Sequence, residues 1–375
     1  MACSFENRLI RYKDLDQEIG SIQFFEILGE GHFSDIYKMQ FRGKAGALDH
    51  SVFSIKVTKS AYNQNVLKHE KSIYDRIDQC KASSHVIQAF QRVKLFDIEQ
   101  ETMRFGLVLE YGGISLKEAE ELNWFDSIER AARVGSQILA GLITLESVGV
   151  IHTDLKEENI LINRSKIVKI CDFGSSFILQ EGVLRFPIDS EVTTVTHRPP
   201  EHDTGFFGCR EVGKRYDMWG FAVVIFRLLF KQNPFIFPDW NECKPGSLEN
   251  LKQRFCYLEQ ILTAVYPPIS DRIVVSQQWL IVKEYLRLGE IAPQQIVRRV
   301  SPSPPGFDPA LASRPLWERR IPKEDKMWSP LFQNLFVFPE KRWSAREAQC
   351  FIHKLIPDPE FREQPVDSFS KCLLQ

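Results

Sequence analysis

The sequence predicts an α+β protein in two parts, a strand-rich front half followed by a helical back half. Three features predict it. The front half carries short runs of β-branched and aromatic residues, the helix-like region from Asp126 onward has apolar residues at a 3.6-residue period, and a strongly apolar run covers Tyr216 to Phe230.

Taken in order, "SIQFFEIL" (Ser21 to Leu28) and "SVFSIKV" (Ser51 to Val57) read as strands, and "RFGLVLEY" (Arg104 to Tyr111) as another. Tyr62 to Ile77 places Val66, Ile73 and Ile77 at helical spacing. From Asp126 the apolar positions Ile128, Ala131, Ala132, Ile138, Leu139, Leu142 and Leu145 predict a long helix ending near Gly149, with Asp126 and Glu129 as a capping box. A second helix is expected over Tyr216 to Phe230. Pro199-Pro200 and Asn233-Pro234 mark turns. The stretch 238–326 contains "SPSPPGFDP", too proline-rich for a helix or a central strand, and is expected to be an insertion with some helix, such as Asp271 to Leu288.

At 375 residues the chain can bury a large core, and a net charge of −1 demands neither nucleic acid nor an anionic membrane as partner. Eight scattered cysteines form no C-x-x-C pair, so a reduced compartment is expected. The start lacks a signal-peptide core, and the longest apolar stretch, Phe221 to Phe230, is too short to span a bilayer. A soluble protein of cytoplasm or nucleus is the expectation.

Several residues carry chemistry. "LGEGHFSDIY" (Leu28 to Tyr37) is glycine-rich and lies between two expected strands. Such a loop brings backbone N–H groups close to phosphates, although a hairpin that merely needs glycine has the same sequence. Lys56 closes an apolar strand, and Glu70 follows in a helix; alone they read equally as an edge charge and a solvated residue. "VIHTDLKEENILI" (Val150 to Ile162) and "VKICDFGSS" (Val168 to Ser176) then set Asp154, Lys156, Asn159 and Asp172 between short apolar segments. Carboxylate and amide oxygens are hard ligands that suit Mg²⁺ shared with substrate phosphates. Cys171, just before Asp172, is either a small buried hydrophobe or a thiol bordering a nucleotide.

Glycine loop, strand lysine, helix glutamate, "HTDLKEEN", "DFG" and "PPE" occur in that order. The chain thus resembles the eukaryotic protein kinase family, Ser/Thr type, from about Ile22 to Ile356. The resemblance implies the two-lobed protein kinase fold, strand-rich N-lobe and helical C-lobe. Its parts would be an N-terminal extension (1–20), an N-lobe (21–112), a C-lobe (113–356) with an insertion around 238–326, and a tail (357–375). It implies ATP and Mg²⁺ as cofactors. Gly29, Glu30, Gly31, Ser34 and Ile36 would cover the nucleotide. Lys56 would contact the α- and β-phosphates and pair with Glu70. Ser54 and the gatekeeper Leu109 would border the adenine pocket, with Glu110, Tyr111 and Gly112 as its hinge. Asp154 would orient the substrate hydroxyl, Lys156 would steady the γ-phosphate, and Asn159 and Asp172 would hold the metal. Asp217 would brace the catalytic loop, Thr194 would touch its acid and lysine, and Arg342 would pair with Glu201.

The chain departs from the family pattern at several places. Ser34 replaces the third loop glycine, Ser54 the usual alanine, Thr153 the usual arginine of His-Arg-Asp, and Glu157 a common proline. "HTD", "DFGSS" and Arg198 resemble the CMGC group, in LAMMER-type or dual-specificity tyrosine-regulated flavour. Protein substrates are implied, with a docking or regulatory protein at 238–326, and neither nucleic acid nor membrane is expected. The alternative is a pseudokinase scaffold that binds nucleotide or proteins without turnover, which commonly lacks the strand lysine or one of the two acids. A small-molecule kinase of related fold is disfavoured by Glu201, Asp217 and Arg342.

Overall fold

Alternating apolar residues in the front half close a barrel. The computed structural model describes residues 9–14, 17–31, 33–42, 51–79, 84–97, 102–179, 194–199, 213–235, 316–337 and 341–357. The chain divides into two units, residues 1–126 with 133–183, and residues 127–132 with 184–375.

In the first unit, six antiparallel strands β1 (Leu9–Asp14), β2 (Gln17–Glu30), β3 (Ser34–Arg42), β4 (Phe53–Thr58), β5 (Ala89–Asp97) and β6 (Thr102–Glu110) run in the order β1-β2-β3-β4-β6-β5. β1 also pairs with β5, through Arg11↔Phe96, Tyr12↔Leu95 and Lys13↔Lys94, so the sheet has no free edge. Every second residue points inward. Ile10 and Tyr12, Ile22 and Phe24, Tyr37 and Met39, Ile55 and Val57, and Val93 and Leu95 fill the barrel. Within the N-terminal extension expected over 1–20, residues 9–14 enter the sheet as β1, with Ile10 and Tyr12 alternating inward.

Helix α1 (Gln64–Asp78) buries Leu67, Glu70, Ile73, Tyr74 and Ile77, a stripe at helical spacing that includes one charge. Beyond β6 come β7 (Ile114–Ser115), α2 (Leu116–Glu121) and α3 (Ile128–Ser147). The N-terminus of α3 is capped by Ser127, whose Oγ accepts from Arg130 N at 3.3 Å, one residue beyond the expected Asp126–Glu129 box. A capping box is also formed by Ser344 and Glu347, which bond reciprocally.

The expected lobe boundary at 112/113 does not divide the units. β8 (Val150–Ile151), β9 (Ile160–Ile162), β10 (Val168–Ile170) and β11 (Phe177–Ile178) all fall within residues 133–183 and belong with the barrel. Backbone bonds explain it: Ile87 N donates to Ile170 O and Ile170 N to His85 O, both at 2.9 Å. β7 pairs with β9, and Gly113 (φ +97°) lies so close that an added Cβ would meet Ile162 O at 2.2 Å.

In the second unit, α4 (Asp217–Phe230) has every residue but Arg227 buried. Around it lie α5 (Leu316–Arg320), α6 (Ser329–Leu335) and α7 (Ala345–Leu355). Trp219 stacks on Phe235 at 5.8 Å, Phe226 meets Phe332 at 4.9 Å and Trp317 meets Phe332 at 6.1 Å. Within the insertion expected over 238–326, Trp317 and Ile321 are buried, as is Trp328 just beyond it. The rest of that expected insertion, including Asp271 to Leu288, lies outside the described residues, as does Glu201. Arg342 is fully buried and donates to the carbonyls of Leu335, Arg215 and Val337.

Candidate active site

β4 builds one wall of the site by its alternation. Ile55 and Val57 face the barrel core, so Ser54 and Lys56 share the opposite face. Lys56 Nζ meets two carboxylates, Asp172 Oδ1 at 2.7 Å and Glu70 Oε2 at 2.8 Å. Glu70 is the charge in the buried stripe of α1, and a fully buried carboxylate there demands a partner. Burial would lower the Lys56 ammonium, but the charges of Asp172 and Glu70 outweigh it and raise its pKa. Burial raises Glu70 in spite of Lys56. Lys56 holds Asp172 ionised, its pKa lowered to about 2.

The β9–β10 hairpin (Val168↔Ile162, Lys169↔Leu161, Ile170↔Ile160) brings the second set alongside. Asn159 precedes one strand, Asp172 follows the other, and Cys171 N donates to Asn159 O at 3.0 Å. Asn159 Nδ2 donates to Asp154 O at 2.8 Å and to Asp154 Oδ2 at 3.1 Å. Lys156 Nζ lies 2.8 Å from Asp154 Oδ2. Asp154, Lys156 and Asn159 therefore form one bonded cluster, and Lys56, Glu70 and Asp172 another, within the same unit.

His152 and Phe173, neither of which the sequence marks as functional, fasten these clusters. His152 is fully buried; its Nε2 donates to Cys171 O at 2.8 Å, and its Nδ1 accepts from Asp154 N at 3.3 Å. The Phe173 ring lies between His152 (5.1 Å) and Tyr74 of α1 (5.0 Å), which fixes the turn carrying Asp172. Asp172 and Thr153 both adopt left-handed backbone, φ +65° and +72°. Thr153 Oγ1 donates to Ser175 O at 2.9 Å, and Ser176 Oγ donates to His152 O at 3.1 Å.

The glycine loop is a tight hairpin with Gly29↔Ile36 and Glu30↔Asp35 in register. Gly31 N donates to Ser34 O at 2.9 Å, and a Cβ at Gly31 would lie 2.8 Å from that carbonyl, so glycine is needed there. Ile36 is the cross-strand partner of Lys56, which puts it on the same face. Leu109 is buried opposite Ser54, and β6 ends at Glu110. Glu110 is held on several sides. Its carboxylate meets Lys169 Nζ at 2.8 Å and accepts from Gln88 N at 3.2 Å, and its own N donates to Gln88 O at 2.9 Å. The ring of Tyr111 lies 5.3 Å below Lys38 Nζ, and a Cβ at Gly112 would strike Ile87 and Leu161. Lys169 had no signal in the sequence, being one lysine in a short strand. Cys171 is half-buried, and burial pushes its thiol well up, so it is a poor nucleophile at neutral pH.

Residues 22–349 match the protein kinase domain. The chain belongs to the protein kinase domain family. Kinases of this family have the two-lobed α+β fold. Among its relatives, serine/threonine-protein kinase ksg1 of Schizosaccharomyces pombe is 27% identical over 239 residues, which is 59% of this chain and 37% of that protein. Serine/threonine-protein kinase ppk21 of the same yeast is 28% identical, covering 67% and 44%. Mitogen-activated protein kinase kinase 10 of Arabidopsis thaliana is 29% identical, covering 60% and 69%. The chain thus spans less than half the length of the two yeast relatives.

Proposed function

We propose that the chain transfers the γ-phosphoryl group of ATP to serine or threonine hydroxyls of protein substrates. The observation that carries this is the convergence of Lys56, Glu70 and Asp172 with Asp154, Lys156 and Asn159 in one unit. The substrate oxygen bonds to the γ-phosphorus, the bond from phosphorus to the departing ADP oxygen breaks, and the hydroxyl proton passes to Asp154. Lys56, kept charged, holds the α- and β-phosphates, and Lys156 lies beside Asp154 to meet charge on the γ-phosphate. Asp172 spends Oδ1 on Lys56, is ionised and is partly open to solvent, so its other oxygen suits a hard cation. Asn159 and Asp172 would hold Mg²⁺, which when bound neutralises phosphate charge.

Substrate choice, compartment (cytoplasm or nucleus) and the CMGC-like subgroup are part of the same proposal. The subgroup rests on "HTD", "DFGSS" and Arg198; the relatives named above do not bear it out. A docking or regulatory partner at 238–326 rests on composition and position outside the catalytic set. No described helix is long and apolar enough to cross a membrane. The test is incubation with radiolabelled ATP and Mg²⁺, with and without a generic basic protein, beside Asp154→Ala. Label on the protein that requires Asp154 supports the proposal. Equal label in the variant, or none in either, refutes it.

A further inference from the structure

Ser54 stands where the family usually has alanine, and it does more than keep a pocket small. Its Oγ donates to Glu110 O at 2.9 Å, across the β4–β6 pair. Ser54 is nearly buried, faces the same side of β4 as Lys56, and lies two residues from it along the strand, about 6.6 Å. A nucleotide with its phosphates at Lys56 and its base toward residues 110–112 therefore sets the base edge against the Glu110 carbonyl and the Ser54 hydroxyl.

The two groups differ in adaptability. The Glu110 carbonyl is a fixed acceptor, because Gln88 and Lys169 pin its residue through backbone and carboxylate. The Ser54 hydroxyl is a rotor, with one proton to give and lone pairs to accept. Against adenine, the exocyclic 6-amine donates to the carbonyl's second lone pair, and Ser54 can keep its present bond. Against a 6-oxopurine, a carbonyl facing only the Glu110 oxygen would oppose acceptor to acceptor, an unpaired and costly arrangement. Ser54 offsets that conflict by turning its proton from Glu110 O to the oxo group, which then accepts one hydrogen bond.

We propose that Ser54 determines base selectivity in this site and admits 6-oxopurine nucleoside triphosphates, inosine and guanosine, alongside ATP. The proposal rests on the kinase reading of the site above.

The test compares kcat/KM for ATP, ITP and GTP, with Mg²⁺ and one peptide substrate, in the wild-type chain, Ser54→Ala and Ser54→Cys. ITP carries the 6-oxo group and N1–H without the 2-amine of guanine, and because the N1 change is the same in every variant, the change of the ITP/ATP ratio on Ser54→Ala is the decisive quantity. A loss of folded protein scales both nucleotides equally and leaves the ratio untouched. Where turnover is low, the same ratio is read from displacement of a fluorescent ATP analogue. The expected result is an ITP/ATP ratio about five- to ten-fold lower in Ser54→Ala, the worth of one neutral hydrogen bond, with Ser54→Cys between the two. An ITP/ATP ratio in Ser54→Ala within two-fold of wild type overturns the proposal while leaving ATP use intact. Failure of the wild-type chain to bind ATP overturns the kinase reading and this inference with it.

Discussion

Replacing Thr153 with valine tests how the segment after Asp172 is held in place. Valine keeps the β-branched shape, and so keeps the strain of φ +72° that costs roughly 1–3 kcal/mol, while removing only the hydroxyl. That hydroxyl donates to Ser175 O at 2.9 Å and lies 3.1 Å from Ser175 Oγ, in a site where Thr153 is buried. The hydroxyl's one proton is shared between these two acceptors, the shorter contact being the main bond. At about 1 kcal/mol for each neutral bond, the loss is about 1–2 kcal/mol, or roughly a five- to thirty-fold shift toward release of the segment. Native-state hydrogen exchange reads that shift directly, at Ser176 N (bonded to Phe173 O) and Leu179 N (bonded to Gly149 O). Both amides are expected to exchange faster in Thr153→Val by about that factor, and peptide phosphorylation is expected to fall by no more than it. A threonine cannot clasp a loop phosphate as an arginine does, so phosphatase-treated wild-type protein should keep most of its activity. Unchanged exchange in Thr153→Val would refute the hydrogen-bonded anchor. A ten-fold loss of activity on dephosphorylation, restored by rephosphorylation, would refute independence from phosphate.

Lys56→Met is expected to lower phosphoryl transfer by roughly 10²-fold or more. It is also expected to destabilise the fold by about 3–5 kcal/mol in a denaturant titration, because Glu70 is left buried without its cation; adding Glu70→Gln should recover stability and not activity. His85 is buried, its pKa is lowered by burial, and its Nδ1 donates to Val168 O at 2.9 Å. The unfolded chain then takes up a proton near pH 6.5 that the folded chain does not, so this contribution is full above pH 6.5 and is lost as pH falls below it. The drop in Tm from pH 7.5 to pH 5.5 should therefore be smaller in His85→Gln than in wild type. Deleting residues 300–309 should leave activity on a short peptide unchanged, and loss of that activity would place the segment in support of the catalytic core.

Legibility followed how local the signal was. The strands around Phe24, Ile55 and Val108 and the helices at Ile138 and Val224 announce themselves by apolar period, and their positions were readable to within a few residues. β1 was not, because "LIRYKD" has only two inward residues, Ile10 and Tyr12, and its worth comes from pairing with β5 some eighty positions away. β5 itself is interrupted by charges on its outer face, which hide Val93 and Leu95. In the site, the acids and lysines were legible as types and spacings, since phosphate chemistry admits few substitutes. The bonds that orient them were not. Lys169 to Glu110, His152 to Cys171 O and Ser54 to Glu110 O join residues distant in sequence, and two of the three end on a backbone carbonyl that leaves no trace in a sequence. The lysine and glutamate were readable as a pair, but the consequence for stability of separating them was not, because it depends on Glu70 being wholly buried.

Two departures from the family pattern have the same physical form. Ser54 reaches Glu110 O, and Thr153 reaches Ser175 O; in each a short hydroxyl seizes a main-chain carbonyl near the site, and Ser176 does the same to His152 O. Such bonds are neutral, so salt hardly screens them and pH does not titrate them between the carboxylate and phenol ranges. The charged contacts of the same site behave differently. Lys56 sits between Glu70 and Asp172, and Lys156 beside Asp154, where an arriving phosphate competes directly for the cation. The chain thus separates two tasks that an arginine beside the catalytic acid would combine. In the proposed function the neutral hydroxyls hold backbone, while the cations are the groups for which phosphates compete. Such a site takes, in that proposed function, part of its geometry from neutral bonds of the fold, and the residue before Asp154, Thr153, is not an arginine that could clasp a phosphate.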